Sequence, residues 1–275
     1  MLRQRLASAA ILVPLVGAAF LLGEPWIVGL VLVLAVVATL ETFALLRAAG
    51  HPGNEALGLL LAVLLVQLAI DDIPPILVAA MPAAVVLLAG VSSFRVAEPR
   101  EGLGAWFATS FGSLYVGMLG FVVWILRSIP SLPASAPLAP LGGGRGWILL
   151  LVAGVWAYDS CAYAAGRAFG RRRFLVHISP SKTYAGLAGG LVGGTAATAL
   201  VLAGLGRPPA EALLLGPLVG LAAQAGDLAE SMLKRAAGAK DSGTLIPGHG
   251  GVLDRVDSFL FAAPALAIYV AASFR

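Results

Sequence analysis

Between Asp227 and Ser258 the chain places five carboxylates, four basic side chains, a histidine and five glycines within 32 residues. Asp227, Glu230, Ser231 and Lys234 recur at the spacing of one helix face. The GAKDSGTLIPGHGG that follows cannot continue a helix, because its glycines and Pro247 interrupt one. Asp254 and Asp257 then stand one turn apart as the chain re-enters an apolar run. Two carboxylate-bearing helix ends joined by a basic glycine loop are the parts needed to hold a divalent cation and a polyphosphate. Asp227 lies late in an apolar run, where a carboxylate is expensive without a partner. It either pairs with Lys234 or Arg235 or ligates a metal. Asp254 follows the glycine loop directly and is the better second ligand, while Asp257 or Ser258 is placed to cap the next helix. Aspartates from two helices suit Mg²⁺, which keeps waters and takes phosphate oxygens. His249 sits among Gly248, Gly250 and Gly251, whose freedom permits an anion-binding nest, so phosphate contact is favoured over general acid work. Lys234, Arg235, Lys240 and Arg255 supply charge for a triphosphate, although membrane topology alone accounts for part of that charge.

A second constellation runs from Trp156 to Gly190. Asp159 stands inside an apolar run with Tyr163 on the same face, and Gly166, Arg167, Gly170 and Arg171 mark its exit. Ser179-Pro180-Ser181-Lys182-Thr183 reads as a helix start, with Ser179 at or near the cap and Pro180 early in the helix. A helix start carrying hydroxyls and a lysine is a ready anion site.

The run S-M-L-K-R-x4-K-D-x-G-x2-I-P-G-H-G-G-V-L-D-R-V-D, from Ser231 to Asp257, resembles the signature of the phosphatidate cytidylyltransferase family. The stretch Asp159-x3-Tyr163-x2-Gly166-Arg167, followed by Ser179-Pro180-x-Lys182-Thr183, is similar to that family too. One departure is Ala185, where the family commonly has glutamate. The resemblance covers residues 156–258 well and the N-terminal half only as a hydrophobic pattern. It implies an integral membrane enzyme that joins CTP and phosphatidate into CDP-diacylglycerol and pyrophosphate. It implies Mg²⁺ on Asp227 and Asp254, and leaves a second cation open. Asp227, Lys234, Asp254 and Asp257 would be catalytic. Asp159, Arg167, Ser179, Lys182, Thr183, Ser231, Arg235, Lys240, Asp241, His249, Gly250, Gly251 and Arg255 would bind substrate. Membrane lipids are implied as partners and nucleic acid is not; a homodimer is left open.

The elements that must position these residues are apolar. Of 275 residues 59% are hydrophobic and 12% charged, and the mean hydropathy is +0.93, which excludes an ordinary soluble domain. The pI of about 9.6 follows from 18 basic against 14 acidic residues. In a soluble chain that excess would suggest nucleic acid; here topology explains it. The expected fold is all-α, a polytopic membrane protein of about nine spans, near 7–23, 26–46, 56–70, 74–92, 104–126, 147–166, 184–205, 211–232 and 258–273. With a cytoplasmic N-terminus, fourteen basic residues face the cytoplasm, and Arg127, Arg145, Arg207 and Arg275 face away. Both polar loops then lie on the cytoplasmic side of the inner membrane. A Pro/Ala/Gly-rich connection at 128–146 divides an N-terminal region of five spans, 1–127, from a catalytic region of four, 147–275. The glycines at 186, 189, 190, 193 and 194 imply close helix packing, and the single Cys161 is a packing residue that cannot form an internal disulfide. Glu41 stands alone in the second span without an assigned role. An ion pathway lined by Asp159, Asp227 and Glu230 is the rival reading, but it leaves the glycine loop without a use. The D-G-x2-A-R-x8-G-x3-D-x3-D pattern of transferases that use CDP-linked lipids is absent.

Overall fold

The structure is a computed structural model and describes residues 2–69, 75–129 and 131–273. Residues 70, 74 and 275, which figure in the expected topology, lie outside that set. The described chain is all-helical, with ten α-helices. They are α1 Leu2–Leu22, α2 Glu24–Ala48, α3 Glu55–Gln67, α4 Pro75–Ser93 and α5 Pro99–Gly117, then α6 Gly120–Ser128, α7 Gly143–Phe169, α8 Tyr184–Gly204, α9 Ala212–Ala236 and α10 Leu253–Ser273. Six helical stretches are long and apolar enough to cross a membrane: Glu24–Ala48, Pro99–Ser128, Gly143–Phe169, Tyr184–Gly204, Pro209–Ala236 and Leu253–Ser273. Shorter apolar helices at Leu12–Leu22, Glu55–Gln67 and Ala80–Ser93 occupy the remaining expected positions. The protein is thus a polytopic, all-α membrane protein.

Local chemistry sets the helix ends. Asn54 caps α3 by accepting from the Leu57 N–H at 3.1 Å. Pro99 occupies the first turn of α5, where a missing N–H is harmless. The expected span at 104–126 is two helices rather than one. The break at Met118–Leu119 falls where α3 crosses closely: a Cβ on Gly120 would lie 2.8 Å from the Leu65 carbonyl oxygen. The Leu119 N–H turns back to Val116 at 3.0 Å, a tightened i to i−3 bond at the join.

The helices form two compact units. One comprises Met1–Val123 and Leu233–Val256, the other Trp124–Met232 and Asp257–Arg275. The polar loop before α10 groups with the N-terminal helices. In the first unit Phe43, 1% exposed, lies in a cradle of glycines from neighbouring segments. A Cβ on Gly53 or Gly112 would sit 2.9 or 2.8 Å from its ring. Trp106 Nε1 donates to the Val86 carbonyl at 2.8 Å and ties α5 to α4.

In the second unit α7 and α8 approach through small residues, as the glycine spacing implied. A Cβ on Gly186 would lie 2.9 Å from the Ala162 carbonyl oxygen, and one on Gly193 would collide with Cys161 Sγ. The Tyr158 hydroxyl donates to Gln224 Oε1 at 3.1 Å, joining α7 to α9. At the far end of this unit Glu211 Oε2 accepts from Arg207 Nε at 2.9 Å and from the Tyr269 hydroxyl at 2.7 Å.

Candidate active site

Within the first unit the polar loop is built around two carboxylates. Helix α9 ends at Gly238, whose φ of +65° no side chain adopts comfortably. The Ala239 N–H bonds the Lys234 carbonyl at 2.8 Å and the Gly238 N–H bonds Arg235 at 3.1 Å, a Schellman ending. That ending directs Lys234 back toward the loop. Its ammonium donates to Asp254 Oδ1 at 2.6 Å, with the two side chains only 13% and 7% exposed. Asp254 Oδ2 accepts from the Ser242 N–H at 2.9 Å, the Ser242 hydroxyl at 3.0 Å and the Gly251 N–H at 2.8 Å. Three N–H donors thus converge on one carboxylate, together with a share of the single Ser242 hydroxyl proton.

The second carboxylate is Glu41 of α2, 9% exposed. It accepts from the Ser242 hydroxyl at 2.8 Å and from the Val252 and Leu253 N–H groups at 3.0 and 2.8 Å. These last two are amides at the start of α10, which have no partner within the helix. Between the anchors the loop turns tightly, with the Ile246 N–H on the Gly250 carbonyl at 2.9 Å and the His249 N–H on Ile246 at 2.9 Å. Lys240, Asp241, Arg235 and Arg255 are exposed around this turn, and His249 and Gly250 are half-buried within it.

One sequence expectation is corrected here. Asp257 and Ser258 do not cap the last helix, because α10 starts at Leu253, and the capping falls to Glu41. The Gly251 N–H is already taken by Asp254. A Cβ on Gly251 would collide with Ser242 and Glu41, so packing alone requires glycine there.

Within the second unit a further set of expected residues comes together. Lys182 pairs with Asp227, each side chain about a quarter exposed (24% and 25%). Asp227 thus finds its cation in neither Lys234 nor Arg235. Asp159 of α7 lies within electrostatic range of both Lys182 and Asp227. Helix α8 is capped by Thr183, whose hydroxyl accepts from the Gly186 N–H at 3.0 Å. The expected cap, Ser179, instead lies buried in the turn before the helix, where its carbonyl receives the Lys182 N–H at 3.3 Å. Antiparallel pairing between Arg173 and Thr183 closes that turn. Gly166 and Gly170 leave room for the cap, since a Cβ on either would meet Thr183 at 3.1 or 2.9 Å. Arg167 donates to the Tyr163 hydroxyl at 3.1 Å, and Ser231 is half-buried on α9.

The donor set bears on a metal. Among the described residues no group of three or more acidic, histidine or cysteine side chains is gathered as a ready metal site. Asp227, with Asp159 nearby, offers the hard oxygens that Mg²⁺ takes. Asp254 does not fit as it stands, because its oxygens already accept from Lys234 and from the Ser242 and Gly251 amides. Sequence reading noted Glu41 without a role and missed Ser242. A lone carboxylate in an apolar span was the available signal for the first.

Comparison with known proteins adds an independent finding. A model of the cytidylyltransferase family matches residues 3–273. The chain is 38% identical over 184 residues to a phosphatidate cytidylyltransferase of Brucella suis, covering 66% of this chain and 63% of that protein. It is 41% identical over 173 residues to the chloroplastic phosphatidate cytidylyltransferase 5 of Arabidopsis thaliana, covering 56% and 42%. It is 48% identical over 124 residues to a phosphatidate cytidylyltransferase of Synechocystis, covering 44% and 42%. The chain thus spans less than two thirds of the length of each of these relatives.

Proposed function

The chain belongs to the cytidylyltransferase family, and we propose that it is a phosphatidate cytidylyltransferase, transferring CMP from CTP to phosphatidate. A phosphate oxygen of phosphatidate attacks the α-phosphorus of CTP. The bond from that phosphorus to the bridging oxygen of the leaving pyrophosphate breaks as the new P–O bond forms. The nucleophile is already anionic, so no strong base is needed, and the protein contributes in-line positioning and neutralisation of charge. Lys182 and Lys234 serve the phosphates, helped by the exposed Arg235, Lys240 and Arg255 and by His249 of the glycine turn. Mg²⁺ is part of the proposal: Asp227 would hold it, and Asp254 would join only on exchanging donors it now accepts. When bound, the ion would neutralise charge on the phosphates.

The single observation that supports this reading best is the loop between α9 and α10, a basic glycine turn fixed at both ends by buried carboxylates. An ion pathway would have no use for it. The proposal also takes nine membrane crossings, a cytoplasmic N-terminus and both polar loops on the cytoplasmic face of the inner membrane. Purified protein should release pyrophosphate only when CTP and phosphatidate are both present. Release with CTP alone, or none with both, would overturn the reading.

A further inference from the structure

We propose that Glu41 is the positioning residue of the glycine loop, a carboxylate supplied by α2 that sets where Asp254 and Lys234 stand. It reaches its partners across 201 to 212 positions of sequence. Its oxygens accept from the Val252 and Leu253 amides, where the start of α10 carries partial positive charge. That much is a helix cap supplied from another element. Ser242 makes it more than a cap. The Ser242 hydroxyl lies 2.8 Å from Glu41 Oε2 and 3.0 Å from Asp254 Oδ2, and the Ser242 N–H also serves Asp254. Glu41 therefore holds the residue that holds Asp254, and Asp254 holds Lys234. The loop is shaped for this side chain. A Cβ on Gly243 or Gly251 would collide with the Glu41 carboxylate, so both positions must be small to admit it.

The anchoring follows from geometry alone; its effect on turnover rests on the proposed reaction, and the experiment separates the two. Glu41→Gln keeps the volume but replaces one acceptor oxygen with an NH₂ that cannot accept an N–H. Hydrogen exchange followed by mass spectrometry on the detergent-solubilised chain should show residues 242–254 exchanging at least about tenfold faster, while peptides of α7 and α8 are unchanged. Pyrophosphate release by the folded variant should fall at least about tenfold in kcat, well below its melting temperature. Glu41→Asp, which keeps both acceptor oxygens, should recover part of each. Unchanged protection over 242–254 in Glu41→Gln would overturn the proposal. Faster exchange with full turnover would overturn the positioning role and leave only a cap. Faster exchange in a chain whose wild type shows no CTP- and phosphatidate-dependent release would support the anchoring and sink the proposed reaction instead. If Glu41→Gln does not fold, Ser242→Ala removes the bridging hydroxyl without a change of charge and is read the same way.

Discussion

Two of the three candidate lysines end on an aspartate, Lys182 on Asp227 and Lys234 on Asp254. Under the proposed reaction a phosphate group would compete for each ammonium, which its own aspartate neutralises and orders beforehand. The two aspartates differ in what their replacement does. Asp227→Asn removes a charge facing Lys182, and the chain should stay folded. Turnover should drop at least about a hundredfold, ~2.7 kcal/mol in barrier, in the pyrophosphate assay. Near-normal rates would remove Asp227 from the reaction. Asp254→Asn must in addition turn an NH₂ toward Lys234 or toward the amides of Ser242 and Gly251. It should lose about 1–3 kcal/mol of stability, seen as a lowered thermal midpoint in detergent. A loss of activity in Asp254→Asn is therefore not by itself a sign of metal ligation. A Mg²⁺ titration on both variants separates loop collapse from ion loss. These aspartates and lysines were visible in the sequence by type and setting. Their pairing was not, because spacing along α9 pointed Asp227 toward Lys234, whereas Lys182 arrives from a separate segment.

At the scale of elements, apolar periodicity and punctuation placed the helices, while close crossings and distant caps moved their ends. The glycines of α8 were legible as a packing face, and they do admit α7. The break between α5 and α6 was not, although Gly117 and Gly120 flank it and both pack closely on Leu65 of α3. The start of α10 lies before the expected 258, and Glu41, from a distant element, accepts from the amides there. Thr183→Ala should cost about 1 kcal/mol by removing the α8 cap. Gly193→Val should cost about 1–3 kcal/mol by driving a side chain into Cys161. Val192→Ala, one residue away and 71% exposed, should stay within about 0.5 kcal/mol. Thermal midpoints of the three proteins in one detergent test the order. Equal midpoints for the two α8 positions would refute the seam.

For the whole molecule, orientation in the membrane decides whether the two polar loops face the cytoplasm as proposed. Arg47, Arg95, Arg100, Arg167, Arg171, Arg172, Arg173 and Lys182, with the cations of the glycine loop, all fall on one side if the apolar helices alternate through nine crossings. Arg127, Arg145 and Arg207 fall on the other. Cytoplasmic loops retain basic residues because translocating them is unfavourable, so the richer side is assigned to the cytoplasm. The partition depends on the shorter helices α1, α3 and α4 crossing. If any one of them stayed on the surface, every later loop would change sides and the split would weaken, to twelve against six without α1 and to eleven against seven without α3 or α4. Single cysteines in a Cys161→Ala background can read this directly. His51, Arg172, Thr244 and Ser135 are exposed and lie in connections between helices, and Ala210 is exposed in the short helical turn that opens the stretch Pro209–Ala236. Cysteines at His51, Arg172 and Thr244 should react with a membrane-impermeant maleimide only after the cells are opened. Those at Ser135 and Ala210 should react in intact cells, once the outer barrier is permeable to the reagent. His51 and Arg172 on opposite faces would mean an odd number of crossings between them, and the fourteen-to-four bias would then be coincidence. Arg172 and Thr244 on opposite faces would be more damaging. The two polar loops would then face different compartments, against the proposed cytoplasmic placement of both.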